Sequence, residues 1–417
     1  MVGGSGPRPR PTVVPLSTSH WGRGLLRNNS RMDPRQSTKR ISTRTILIAA
    51  ALLLVAAAFT GYAMGWWRPG AKAVGPVRIT AQPAAIWIET SDTGQSLNFD
   101  FVVENQGSVP LGIDSIDLVA VDAAGKPVLR RFIDSNGFAP SIETVPGRVV
   151  APGGKILVFN PFHSFRPDAE LHRLTYKFSL SIPQEAPETQ ASVTVEPRVY
   201  TPKTPLSLPV RGKLLVHDGH DYYAHHRRLN TEHPAARELG ITRNFMRYSL
   251  DLNPTNDAFE PFRGNGAKNE DWFAWNQPLF ATGDGTVADA FDEEPDNVRG
   301  GVNHFDPRSV KSKPMKFYGN YLVIDHGNGE FSLFGHLQKG SLAVKVGDRV
   351  TRGQPVARIG SSGSSNNPHV HYELRTGKDL NAEGLPAVFR DFNRHLGSKV
   401  VLVPASAVDT GDLLEAR

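Results

Sequence analysis

The sequence has 417 residues, which exceeds the usual size of one domain and predicts at least two. It contains no cysteine, which excludes a disulfide framework and zinc–thiolate sites. The net charge is +6, but the first 45 residues hold nine Lys or Arg and one Asp, so this tail carries +8 and the remainder −2. The charge therefore gives no support for a nucleic-acid-binding surface on the folded part.

The N-terminal region predicts a tail and a membrane anchor. Residues 1–45 are rich in Pro, Gly, Ser and Arg and predict a disordered basic tail. Residues 46–67 carry no charge over 22 positions, enough for a helix rising ~1.5 Å per residue to cross a ~30 Å apolar layer. The preceding basic residues predict a cytoplasmic tail and a single-pass plasma-membrane helix. The alternative is a signal peptide cleaved after Ala63, and both interpretations place the rest of the chain outside the cytoplasm.

Residues 75–198 show the period of β-strands. In the run 97–103 the odd-numbered residues are all apolar, and the same alternation returns several times before residue 195. About seven short strands at this spacing are typical of an immunoglobulin-like β-sandwich. We find no histidine or carboxylate cluster there, so we expect this domain to act as a spacer or to bind a partner. The four prolines within residues 197–209 predict a linker or a connecting strand.

A second all-β unit is predicted over residues 318–375. Five apolar runs read as strands, at 322–324, 332–334, 342–346, 355–359 and 370–374, with turns at 327–329, 347–348 and 360–367. Three histidines lie near the ends of these strands. His369 and His371 are two residues apart, and because side chains at i and i+2 project to one face of a strand, we expect both over one pocket, with His336 nearby.

Several sequence motifs of this unit resemble those of a known family. The runs YGNYLVIDHGNG, FGHL, VKVGDRVTRGQPVARIGSSG and NPHVHYELR resemble the LytM- or lysostaphin-type zinc endopeptidases of peptidase family M23. The resemblance covers about residues 216–375 and is strong only after residue 281. It implies an all-β, barrel-sandwich-like peptidase domain over residues 210–400, followed by a C-terminal tail over 401–417. It also implies a zinc cofactor and peptide-bond hydrolysis.

The first ligand motif departs from the resembled family. Members usually carry His-x-x-x-Asp, in which both end residues bind zinc, but this sequence has Arg247 four residues before Asp251. Arginine has no acceptor nitrogen for a metal, so another residue must supply it or the site is broken. By likeness to divergent relatives with a displaced histidine, we choose His226, with His225 as the alternative.

The resemblance then implies the remaining roles. Zinc is held by His226, Asp251 and His371, with a fourth position open for water, as a catalytic site requires. His336 and His369 match the family's two catalytic histidines that do not bind the metal.

Other features bear on the mouth of the site. Arg247 is expected to pair with Asp251 or a substrate carboxylate, or to be an ordinary solvated strand residue. A long polar insertion over residues 290–317 predicts a loop at the site. The aromatic segment 253–275 lines a groove or packs a loop down, and we favour packing. His326 is expected to be structural or solvated.

Three hypotheses follow for the function. The first is a membrane-anchored, exported zinc endopeptidase acting on peptidoglycan cross-links or other envelope peptides. The second is a degenerate LytM-type domain that regulates other cell-wall hydrolases. The third is a biotinyl- or lipoyl-type carrier domain, which the run at 344–360 resembles, although the sequence shows no suitable lysine at a tight hairpin.

Overall fold

The computed structural model describes residues 75–183 and 188–417. The predicted tail (1–45), the predicted anchor (46–67) and the alternative cleavage after Ala63 lie outside the described residues. Within the described ranges, no helix has both the length and the apolar character to cross a membrane. The described chain is mostly β, as predicted from the alternating pattern.

The first half of the described chain forms three antiparallel or mixed sheets. Their strand orders are β1-β4-β8, β11-β10-β5-β6 with β7 also on β5, and β12-β2-β3-β9. Residues of most of these strands form one hydrophobic core, and we refer to this β region, residues 75–199, as the sandwich. The immunoglobulin-like relationship stays a prediction. The strands are β1 (Val77–Gln82), β2 (Trp87–Thr90), β3 (Gln95–Leu97), β4 (Asp100–Asn105), β5 (Leu111–Val121), β6 (Pro127–Asp134), β7 (Val149–Val150), β8 (Lys155–Phe159), β9 (Ser164–Phe165), β10 (Arg173–Ser181), β11 (Glu188–Val195) and β12 (Arg198–Val199).

In the run 97–103, the alternation of apolar residues predicts only part of the burial. All four odd-numbered residues are fully buried in the sandwich core. The even-numbered positions were expected on the opposite face, yet Asn98 and Asp100 are also buried. Arg227 and Arg247 of the second half cover Asn98 and Asp100, whereas Val102 stays half-buried.

The second half builds one large sheet around a second core. Its order is β19-β16-β17-β18-β21-β14-β13-β25-β23-β24, with β22 also on β21, and β15 pairs separately with β20. The strands are β13 (Gly212–Asp218), β14 (Leu250–Pro254), β15 (Pro278–Phe280), β16 (Gly285–Phe291), β17 (Asn320–Asp325), β18 (Phe331–Leu337), β19 (Arg349–Val350), β20 (Pro355–Arg358), β21 (Val370–Arg375), β22 (Gly384–Leu385), β23 (Phe389–Leu396), β24 (Lys399–Ser406) and β25 (Leu413–Ala416). One short helix, α1 (Pro234–Glu238), and 3-10 turns at Ser141–Thr144, Asn269–Asp271, Pro307–Lys311 and Pro314–Tyr318 complete the described elements.

The C-terminal residues 401–417 do not form the predicted tail. Strand β24 extends to Ser406, and β25 lies between β13 and β23 in the large sheet. Leu414 of β25 is fully buried in the second core. The alternation there is short and contains charged residues on the exposed face, so the sequence showed no clear strand.

Two further predictions concern a strand at residues 342–346 and a linker or connecting strand at residues 197–209. Residues 342–346 are not a strand, because they make a single backbone bond to β20, from Ala343 N to Val356 O, and then turn at Gly347. Residues 197–209 form a connecting segment held by the second core. Its Leu206 and Leu208 are buried there, and β12 pairs with β2.

The aromatic segment and the insertion both pack onto the second half. The Trp272 ring lies 4.8 Å from the Phe262 ring, and its Nε1 donates to the Gly266 carbonyl at 2.9 Å. In the insertion, Val310 is fully buried and Asp296 bridges to Ser362. Packing of the aromatic segment is therefore what the structure shows.

Candidate metal centre

Register across four neighbouring strands brings the predicted site residues together. Asp251 on β14 lies opposite His371 on β21, and His371 lies opposite Gly335 on β18, next to His336. On its other side Asp251 lies opposite Asp218 at the end of β13. Directly opposed residues have Cβ atoms only ~4.5–5.5 Å apart, so a row of polar residues crosses the sheet.

One carboxylate oxygen is the centre of the group. Asp251 Oδ1 lies 3.0 Å from His371 Nδ1, 3.3 Å from His369 Nε2 and 3.4 Å from His226 Nε2. Burial alone raises the pKa of Asp251, but the adjacent imidazoles outweigh it and hold the pKa well below its ordinary value. Asp251 therefore stays an anion.

His226 presents its Nε2 atom to this oxygen. Its Nδ1–H donates to the Gly219 carbonyl at 2.9 Å, which leaves the Nε2 lone pair free. Nε2 is buried and has no hydrogen-bond partner among the described residues. Burial also lowers the pKa of His226, so the ring is neutral. By contrast, the His225 side chain is 63% exposed and pairs with Asp218.

A buried network stands behind His371. Its Nε2 lies 2.9 Å from Glu373 Oε1, which also accepts from the Tyr318 hydroxyl at 2.9 Å. Arg375 Nη1 lies 3.1 Å from Glu373 Oε2 and donates to the Tyr318 hydroxyl. A carboxylate on one nitrogen of a ligand histidine orients its other nitrogen. Burial lowers the pKa of His371, but its bonds to Asp251 and Glu373 outweigh burial and raise the pKa to about 9.

Sequence reasoning missed Glu373, although a signal for it was present. Residues 369, 371 and 373 share one face of β21 by the period of two. Asp218 was also missed, and no local pattern identifies it, because its position depends on the β13–β14 register.

The two remaining histidines flank the group. The His336 ring lies 4.9 Å from the His369 ring and 5.5 Å from the His371 ring. His336 Nδ1–H donates to the Ser362 carbonyl and His369 Nδ1–H to the Asn367 carbonyl, both at 2.8 Å. His336 has φ 60°, a left-handed conformation that is costly for a side chain other than glycine and often marks a functional position. Burial and the two neighbouring imidazoles hold the pKa of His336 well below its ordinary value.

Asp251, His336, His369 and His371 line a polar cleft of about 260 Å³, and His226 is buried behind its wall. Its walls add Met246, Phe317 and the Ser/Asn loop 364–367. That loop is fixed by a close approach of Gly363 to Gly319, where a Cβ on Gly319 would lie 2.4 Å from Gly363 N. Asp218 and His225 lie at the same cleft, and one ligand atom from each lies within 4.8 Å of those of His226 and Asp251.

Arg247 takes none of its three predicted roles. Its guanidinium is buried, with Nη1 2.7 Å from Asp100 Oδ2 and Nε 3.2 Å from Glu383 Oε1. It therefore neither pairs with Asp251 nor faces solvent. The carboxylate it binds comes from the sandwich domain, which no local pattern around Arg247 reveals.

Two other histidines, His326 and His220, make structural contacts away from this group. His326 bonds to the Asp284 carbonyl at 2.7 Å and to Ser332 Oγ at 2.8 Å, as expected for a structural residue. His220, for which no partner was predicted, is buried with Nε2 2.9 Å from Glu89 Oε2.

The donor set fits zinc. Imidazole nitrogens of His226 and His371 converge with the carboxylate oxygen Asp251 Oδ1. The other nitrogen of each imidazole is held, by the Gly219 carbonyl and by Glu373 respectively. His226 Nε2 is a buried acceptor without a hydrogen-bond partner among the described residues.

Comparison with known proteins finds a family match within the second half. Residues 270–382 match the family model of peptidase family M23. The predicted resemblance is confirmed over this range. The matched range contains His336, His369 and His371, whereas His226 and Asp251 precede it.

The names of similar characterised proteins refer to murein or peptidoglycan. The chain is 31% identical over 127 residues to the murein hydrolase activator EnvC of Escherichia coli, covering 29% of this chain and 27% of that protein. It is 29% identical over 158 residues to the peptidoglycan DD-endopeptidase ShyA of Vibrio cholerae, covering 34% and 30%. The chain thus spans less than a third of the length of these relatives.

Solved structures with local similarity include the catalytic domain of the M23 protein EnpA from Enterococcus faecalis. That domain is 23% identical, with a TM-score of 0.21, and the match covers 33% of this chain and 72% of that one. A zinc-containing peptidase from Vibrio cholerae is 14% identical with a TM-score of 0.21, covering 72% and 83%.

Proposed function

We propose that this chain, whose residues 270–382 belong to peptidase family M23, is a zinc-dependent endopeptidase that cleaves peptide cross-links in peptidoglycan. The observation that carries the proposal is the convergence on Asp251 Oδ1 of three imidazole nitrogens within 3.0–3.4 Å, in a cleft with a fourth imidazole beside them. Four histidines around one buried carboxylate have no structural task that simpler residues would not perform.

The metal would be held by His226 through Nε2, Asp251 through Oδ1 and His371 through Nδ1. When bound, zinc supplies a Lewis acid that polarises a carbonyl and lowers the pKa of a water to ~7. The Gly219 carbonyl and the Glu373 carboxylate orient the two imidazoles.

The other two histidines handle protons. His336 is neutral and, with Nδ1–H tied to the Ser362 carbonyl, keeps its Nε2 lone pair as a proton acceptor. His369 Nε2 lies 3.3 Å from Asp251 Oδ1 in the same cleft, and we assign this side chain to the developing oxyanion or the leaving amine.

The substrate proposal is supported by the names of similar proteins and by the cleft. Serine and asparagine at positions 364–367 present short polar groups that suit a peptide backbone with small side chains. Location is part of the proposal: a single-pass anchor at residues 46–67 would place the cleft on the outer side of the plasma membrane, where peptidoglycan lies.

The test is metal content together with hydrolysis by the full chain. We expect about one zinc per wild-type chain and release of peptide fragments from purified peptidoglycan. His226→Ala is expected to lose both, while His172→Ala, an exposed histidine of the sandwich, keeps both. His369→Ala is expected to keep zinc and lose hydrolysis. A wild-type chain that holds zinc but cleaves neither peptidoglycan nor envelope peptides would contradict the proposal.

A second function, regulation of other cell-wall hydrolases, is favoured by the similarity to a murein hydrolase activator and by the absence of the usual ligand histidine at Arg247. The two functions are separated by His369→Ala expressed in cells in place of the wild type. A regulator keeps the cellular phenotype with this substitution, whereas an enzyme loses it.

A further inference from the structure

The proposed ligand His226 lies on a segment whose conformation no sheet determines. We call residues 219–231, between the end of β13 and α1, the ligand loop; it contains only turns and bends. The other two proposed ligands lie on paired strands. Because an irregular loop retains many backbone conformations unless other groups order it, something must restrict this one.

The sandwich domain contacts the ligand loop along most of its length. His220 Nε2 lies 2.9 Å from Glu89 Oε2, and the Tyr222 ring stacks on His163 at 4.7 Å. The Arg228 guanidinium lies 4.9 Å from the centre of the Phe159 ring. At the end of the loop, Gln82 Nε2 donates to Thr231 Oγ1 at 3.2 Å.

The strongest of these contacts is next to His226. Arg227 Nη1 lies 2.5 Å from Asp100 Oδ1, and its Nη2 donates to the Phe99 carbonyl at 2.7 Å. The second oxygen of Asp100 receives Arg247 Nη1 at 2.7 Å. All three charged side chains are at most 2% exposed. One buried carboxylate of the sandwich therefore binds the residue after His226 and the residue four before Asp251.

The peptidase half holds the same point of the loop from the other side. Asn244 Nδ2 donates to the carbonyls of His226 and Arg227 at 3.1 and 3.0 Å. The main chain at His226 is thus fixed by Asn244, and the side chain of its neighbour by the sandwich. Glu383, paired with Arg247, balances the second positive charge.

We propose that the sandwich domain is a working part of the metal centre, with Asp100 as a positioning residue that acts through Arg227 to hold His226 in place. The inference rests on the proposed metal site and assigns the sandwich a task within it. Partners that orient a metal ligand typically change metal affinity 10- to 100-fold. Contact between the two halves therefore sets how tightly zinc binds.

The first experiment measures the zinc dissociation constant of the full chain by competition with a chelator. Asp100→Asn is expected to weaken zinc binding about tenfold or more. Asp117→Asn, an exposed aspartate on β5 of the same domain, is the matched control and is expected to bind zinc like the wild type. Each measurement is made below the unfolding transition of the zinc-free variant.

A second readout separates positioning from loss of folded protein. For Asp100→Asn, the zinc concentration at half-maximal activity is expected to rise, while kcat and KM at saturating zinc return to near wild-type values. A purely structural role would instead lower the active fraction at every zinc concentration.

Because Asp100→Asn leaves two buried arginines short of a partner, a milder variant guards against misfolding. His163→Ala removes the stack on Tyr222 without leaving a buried charge, and we expect zinc affinity to fall about two- to tenfold. His172→Ala is its matched control. Wild-type zinc affinity in folded His163→Ala and Asp100→Asn would overturn the inference. A wild-type chain without zinc would overturn the proposed function itself.

Discussion

The two sides of the candidate metal centre are assembled by different physical means. His371 and Asp251 lie opposite one another on paired strands, so backbone hydrogen bonds of the sheet set their separation. His226 lies on the irregular ligand loop, where its position is set by the contact of Arg227 with the sandwich and by the bond from Asn244 to its carbonyl. The strand side therefore depends on backbone pairing between strands, whereas the loop side depends on buried side-chain contacts with Asp100 of the sandwich and with Asn244.

The first ligand motif departs from that of the resembled family at Arg247, and the loop side shows what this arginine binds instead. Arg247 stands where the resembled family has a ligand histidine, and it is used to bind Asp100 of the sandwich. In the proposed metal site the imidazole comes from His226 instead, beside a second arginine bound to the same carboxylate.

Removing a ligand on either side is the largest expected effect. Both His371→Ala and His226→Ala are expected to lower kcat/KM for peptidoglycan peptides on the order of 10³-fold, since zinc contributes several kcal/mol to transition-state stabilisation. Assays at saturating zinc check this. Activity retained by His226→Ala but lost by His225→Ala would move the first ligand to His225.

Removing the buried arginine on the loop side comes next. Arg247→Ala leaves Asp100 and Glu383 without this partner, and breaking a buried pair costs about 3–5 kcal/mol of unfolding free energy. Arg173→Ala, at an exposed arginine of β10 with no ion pair among the described residues, is expected to stay within about 0.5 kcal/mol of the wild type. Denaturant unfolding of the zinc-free chain measures both, and equal values would contradict the importance of this contact.

On the strand side, Glu373→Gln tests the support behind His371. The amide keeps the shape but cannot match the carboxylate as an acceptor, so zinc affinity is expected to fall about 10- to 100-fold. Chelator competition measures the change. Unchanged affinity would show that strand register alone is enough to orient His371.

The smallest expected effect is the pH dependence that His220, on the ligand loop, gives to the free energy of unfolding. Burial lowers the pKa of His220, but Glu89 and Asp409 outweigh it and raise the pKa to about 10. Since the folded pKa exceeds the unfolded value near ~6.5, this contribution to stability is full below pH ~6.5 and is lost as pH rises toward 10. Between pH 7 and 8 it falls by about 1.4 kcal/mol.

His220→Gln is the variant that isolates this contribution. Its unfolding free energy is expected to change less steeply with pH over the same interval than that of the wild type. Parallel pH profiles for the two proteins would show that His220 is neutral in the folded chain.

Much of the strand side was predictable because its signals are local. Alternation predicted β17, β18, β20 and β21, and the spacing of His369 and His371 predicted one shared face, on which Glu373 also lies. The segment 342–346 was wrongly predicted as a strand, since apolar content does not reveal whether a pairing partner is available. The predicted tail at 401–417 was wrong for the converse reason, because β25 is defined by its neighbours β13 and β23.

The sequence by itself determined the β class, the resemblance of residues 270–382 to peptidase family M23 and the two-residue spacing of His369 and His371, because these depend on short local patterns. Only the tertiary structure decided that His226 faces Asp251, that Asp218 joins the row, and that Asp100 of the sandwich binds Arg227 and Arg247. The physical reason is that a buried charge takes whichever opposite charge the packing of distant segments brings to it, and no local pattern records that choice.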